Sequence, residues 1–67
     1  MRVQIPAYTS RWMMGDRYGE VVEGSRKMAT PHQRRRLGMT EAGDVQRVKL
    51  DKSGRTFLFI ADDCTEV

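Results

Sequence analysis

Arg34, Arg35 and Arg36 follow one another without interruption, and Arg26, Lys27 and His32 stand shortly before them. Residues 25–43 set these five Lys and Arg side chains against a single acid, Glu41, so the net charge of +3 is one local patch on a near-neutral body. Guanidinium and ammonium groups at this density contact phosphates and displace counterions, which gives salt-sensitive affinity for nucleic acid. They carry no code for reading bases. The plain alternative is a solvated loop that keeps the chain dispersed, and basic surface runs more often do only that. Tyr8 and Trp12 supply rings that can stack on bases, worth about 1–3 kcal/mol each. A small domain also needs its largest side chain in or at the rim of its core, which favours a packing role for Trp12 and a surface role for Tyr8.

Other chemistry finds little support. His32 and Cys64 are the only histidine and the only cysteine. Cys64 falls at an inward position of a predicted strand, where a buried thiol is inert. Asp62 and Asp63 are adjacent, so in a strand they would face opposite ways and could not share a proton; turn capping suits them better. Gly15, Gly19 and Gly24 are too sparse to cradle a phosphate, and no Gly-Lys-Ser/Thr follows them. The expectation is no catalytic residue, no metal, no cofactor and no small-molecule substrate. Met13, Met14, Met28 and Met39 either plug loops against the core or form an adaptable docking surface.

A chain of 67 residues makes one domain, 1–67, with a thin stability margin and little material to hold a catalytic group rigidly. One cysteine excludes an intrachain disulfide and a four-cysteine zinc site. Small exported domains usually need such staples, and Met1–Pro6 lacks an apolar signal core, so a cytoplasmic home is expected. No apolar run approaches the roughly 20 residues that a bilayer demands, and no membrane association is expected.

Local patterns along the chain position the candidate residues. Residues 2–6 alternate as a half-buried strand that Pro6 ends. Residues 7–17 have neither strand nor helix period and read as a long loop bearing aromatics and methionines, closed by the Gly15-Asp16 turn signal. Residues 18–24, with Val21 and Val22, read as a second strand. In the basic segment, Thr30 is an N-cap, Pro31 a first helical residue, Gln33 a capping-box partner and Gly38 a C-terminal stop, giving at most two helical turns anchored by Leu37 and by Met28 or Met39. Residues 45–51 and 55–60 then form a hairpin about the turn Asp51-Lys52-Ser53-Gly54. Ala61-Asp62-Asp63 reads as a 3₁₀ step, and residues 64–67 as a last brief strand.

This order resembles the SH3-like small barrels: a strand, a long loop, a second strand, an intervening loop, a tight hairpin, a 3₁₀ turn and a closing strand. The run Phe59-Ile60-Ala61-Asp62-Asp63-Cys64-Thr65-Glu66-Val67 is similar to the close of several bacterial and photosynthetic accessory barrels. Asp16-Arg17-Tyr18-Gly19-Glu20-Val21-Val22 resembles the glycine-and-valine centre of KOW-type segments in ribosomal and transcription proteins, without the bases usual around that glycine. The resemblance implies an all-β, five-stranded SH3-like barrel with a short helical turn in the loop between strands 2 and 3, the basic insertion being 25–43. It does not extend to proline-peptide binding: the Ala-Leu-Tyr-Asp-Tyr run is missing, Trp12 stands alone and no late tyrosine follows.

The expected function is thus a small non-catalytic module, associated with nucleic acid through Arg26, Lys27, His32, Arg34, Arg35 and Arg36, with Tyr8 or Trp12 stacking nearby. The alternative is a protein-interaction or accessory subunit docking by loop 8–18 or by a strand edge. Unpaired edges also offer a route to homo-oligomers.

Overall fold

Seven residues of alternating character, Asp44–Leu50, make the longest strand and the one that organises the others. In the computed structural model, which describes residues 1–67, the elements run β1 (Arg2–Gln4), α1 (Ser10–Met13), β2 (Tyr18–Val21), β3 (Lys27–Met28), α2 (Pro31–Leu37), β4 (Asp44–Leu50), β5 (Thr56–Ile60), a 3₁₀ turn (Ala61–Asp63) and β6 (Thr65–Glu66). Along one edge of β4 lies β5, with Val45 opposite Ile60 and Lys49 opposite Thr56. The other edge is shared, β3 taking Asp44 and Val45 while β2 takes Val48 to Leu50. β2 continues to β1 and β1 to β6, every pairing being antiparallel.

The protein is therefore predominantly β, as expected, but it differs from the expectation in detail. There are six strands, because Lys27–Met28 pairs with β4 inside what the sequence presents as a loop. The helical turn consequently falls between β3 and β4. The sheet is open: β5 pairs only with β4, β6 only with β1, and no strand pairing closes a barrel. β2 stops at Val21 because the chain turns at once, Ser25 N–H donating to the Val22 carbonyl at 3.1 Å. The Ser25 hydroxyl then accepts the Arg47 N–H at 3.0 Å, replacing a ladder bond. Within the loop, α1 is a single turn capped by the Thr9 hydroxyl, too short to leave a helical period in the sequence.

Alternation in β4 turns Gln46, Val48 and Leu50 inward, and the cross-strand partners Phe57 and Phe59 follow them. Val3, Ile5, Val48, Leu50 and Phe59 form the core, with Trp12, Val21, Phe57 and Cys64 packed against it. Each fully buried aliphatic side chain contributes about 1.5–3 kcal/mol. Gly19 lets β2 approach β4, since a Cβ there would lie 2.3 Å from the Lys49 carbonyl oxygen. Asp16 is buried and its carboxylate accepts the Lys52 N–H at 3.2 Å, tying loop 7–17 to the 51–54 turn. The outer face of the β4–β5 hairpin carries Val45, Arg47, Lys49, Thr56 and Leu58, and over this face lies α2. No helix is long and apolar enough to cross a membrane.

Candidate nucleic-acid interface

The short basic helix is specified by its ends. The Thr30 hydroxyl accepts the Gln33 N–H at 3.2 Å, and the Gln33 side-chain oxygen accepts the Thr30 N–H at 3.0 Å. This reciprocal box, with Pro31 at the first helical position, fulfils the sequence expectation. Gly38 takes φ +69°, the left-handed conformation that stops the helix, and Met39 N–H closes it on the Arg34 carbonyl at 2.8 Å. Arg34, Arg35 and Arg36 fall in the last turn, where cations suit the exposed carbonyls. Helix α2 buries no residue fully. Leu37 is half-buried and, with Phe57 and Leu58, lines a cleft of about 130 Å³ between the helix and the hairpin.

The six bases and near-bases read from the sequence separate into two groups. Arg26 is paired: its guanidinium donates to Asp44 at 3.0 Å and to Asp62 at 3.1 Å. The Asp44 hydrogen bond holds its pKa above the usual arginine value. Arg34, Arg35, Arg36 and His32 on α2, and Lys27 on β3, have no carboxylate partner, the ion pairs all lying at Met1, Arg2 and Arg26. The Nε of Arg34 is buried without a hydrogen-bond partner.

A neighbour that sequence patterns do not single out joins them. Arg47 points outward from β4 and, with His32 and Arg36 of α2, lines a cleft of about 420 Å³ between helix and hairpin. Thr30, Gln33 and Thr56 complete its polar lining, and Phe57 and Leu58 its apolar part. None of these residues is acidic. The one signal for Arg47 is its outward place beside Val48 in β4, and only the docking of α2 turns that place into a wall of a cleft. A different depression, of about 470 Å³, carries Glu20 and Glu23 beside the already paired Arg26; its carboxylates oppose an anion.

The two rings expected to stack have neighbours of their own. The Tyr8 ring is exposed, but its hydroxyl donates to Asp63 at 2.5 Å. Burial of that hydroxyl, then the Asp63 hydrogen bond, raises its pKa well above the usual tyrosine value. A carboxylate beside the ring repels phosphate. Trp12 packs against the core, and the Arg17 guanidinium lies 4.6 Å from its ring centroid. Cys64 lies half-buried with its thiol donating to the Ile60 carbonyl at 3.5 Å, and burial pushes its pKa up, away from the reactive thiolate. Asp62 and Asp63 go to separate partners, Arg26 and Tyr8. No three His, Cys, Asp or Glu side chains gather in a metal-binding arrangement.

No protein-family model matches the chain, and neither the curated proteins nor the solved structures give a match to it. Its own residues therefore carry the functional reading.

Proposed function

We propose that the chain is a non-catalytic, SH3-like binding module that associates with nucleic acid through α2 and the adjoining hairpin face. The observation that carries this reading is local concentration: Arg34, Arg35 and Arg36 stand together on α2 without carboxylate partners, and Arg47 joins Arg36 in one cleft, whereas Arg26 of the same basic stretch is paired. Free guanidinium groups contact phosphates. The SH3-like assignment draws support from the tight β4–β5 hairpin, the 3₁₀ turn after it and the return of β6 to β1. A cytoplasmic setting suits the single free cysteine.

The test is a salt titration of oligonucleotide binding. The combined Arg34→Ala, Arg35→Ala, Arg36→Ala variant lowers the slope of log affinity against log salt by about 0.7–0.9 for each phosphate no longer neutralised, whereas Arg26→Ala leaves the slope unchanged. Absence of any shift of single- or double-stranded probes at low salt and tens of micromolar protein overturns the reading.

A second reading, a protein-docking subunit, is favoured by Met13 and Met14, which are 75% and 62% exposed at the C-terminal end of α1. Its complexes persist or strengthen as salt rises, whereas those with nucleic acid dissociate. Self-association through the free edges of β5 and β6 would appear directly in sedimentation.

A further inference from the structure

The cleft between α2 and the hairpin is built differently from the rest of the basic surface. His32 and Arg36 are one turn apart and so share a face of α2. Arg47 approaches from β4, and the hydroxyls of Thr30 and Thr56 add donors. The Thr30 oxygen already accepts the Gln33 N–H, which leaves its own hydrogen free to donate outward. Leu58 stands opposite Arg47 across the hairpin and gives the cleft an apolar part between cationic walls. Arg35, on the same helix, is exposed and lies outside it.

We propose that this cleft receives one unpaired nucleotide of a single strand, its phosphate on Arg36 and Arg47 and its sugar or base edge against Leu58. The inference rests on the nucleic-acid reading above and narrows it from polyanions at large to strands with accessible bases. Three observations favour this occupant. The lining is cationic with no acid, which suits a phosphate. The apolar part has no use for a bare phosphate but accepts the hydrophobic portion of a nucleotide. The volume of about 420 Å³ lies in the range of small-ligand clefts. A duplex presents phosphates on a convex cylinder with its bases stacked inside, and turning one out costs a few kcal/mol. An unpaired strand incurs no such cost.

The experiment compares a short fluorescent single strand with the blunt duplex of the same sequence, by anisotropy, on the full chain. Preference for the single strand is expected, with Arg36→Gln and Arg47→Gln each lowering its affinity about tenfold, as loss of a charge-assisted hydrogen bond predicts, and Arg35→Gln lowering it less. Amide chemical shifts of wild-type protein give a second readout independent of variant folding: Thr56 and Leu58 move with the single strand. Equal affinity for both probes, with Thr56 and Leu58 unmoved, overturns the cleft assignment while leaving the nucleic-acid reading standing. Failure of both probes to bind overturns that reading and this one together. Equally tight binding of a phosphoserine peptide at the same amides assigns the site to phosphoprotein and also overturns the proposal.

Discussion

Arg26 and Arg36 belong to the same basic stretch, yet the fold puts them to opposite uses. Arg26 lies where β4 begins, and there Asp44 and the 3₁₀ turn's Asp62 neutralise it. Arg36 projects from a helix with no acid in its first turn, beside a strand face that offers Arg47 and Lys49. Positive charge in sequence thus becomes positive potential in space only where the tertiary neighbours lack carboxylates. An exposed pair such as Arg26–Asp44 adds little stability, but it removes a cation from the field that a polyanion would meet.

The heaviest blow to this contrast is aimed at the sheet that underlies both regions. Gly19→Ala drives a Cβ to 2.3 Å from the Lys49 carbonyl oxygen and 2.7 Å from the Val48 side chain. The backbone oxygen cannot swing aside, so the expected cost is about 3 kcal/mol, or roughly 12–24 °C in Tm for a domain of this size. Thermal melting followed by circular dichroism measures it. An unchanged Tm would mean that β2 does not approach β4 so closely, and the platform shared by the two regions would fail as an explanation.

A smaller and local effect separates the regions. Thr30→Ala removes the hydroxyl that accepts the Gln33 N–H, at a cost of about 1 kcal/mol. Faster amide exchange is expected at Gln33 and Arg34, with weaker oligonucleotide binding, while exchange in β4 stays slow. Equal loosening of β4 would show that α2 and the sheet are one cooperative unit.

The smallest effect concerns the paired arginines. Asp51 accepts hydrogen bonds from Arg2, which holds its carboxyl below the usual aspartate pKa of 3.8. A carboxyl whose folded pKa is depressed stabilises the fold above the unfolded pKa, and the stabilisation fades as pH falls through the lower folded value. Asp51→Asn should therefore flatten the acid limb of a Tm-against-pH curve, wild type and variant converging at strongly acid pH. Oligonucleotide affinity should rise only slightly at low salt, because the freed Arg2 charge lies outside the cleft.

Much of this architecture is legible in the chain itself. The β4–β5 hairpin follows from alternating apolar residues around Asp51-Lys52-Ser53-Gly54, and the 3₁₀ turn stands at Ala61–Asp63 as expected. The α2 box is written in Thr30, Pro31 and Gln33, and its stop in Gly38. These signals act over a few residues. The single turn α1 and the two-residue β3 leave none, since neither is long enough to impose a period. The partners of Arg26 lie 18 and 36 positions away, and no local pattern announces them. The surface place of Tyr8 is expected, but its bond to Asp63 spans 55 positions.

Sequence by itself determined the predominantly β character and the place and ends of the basic helix. Tertiary structure alone decided which cations are spent on neighbouring carboxylates and which remain free, and that Arg47 and Thr56 share a cleft with His32 and Arg36. The division has one physical cause. Backbone preference and capping depend on adjacent residues, whereas charge neutralisation and cleft formation depend on distance through space, which the chain acquires only once the hairpin, helix and sheet have packed.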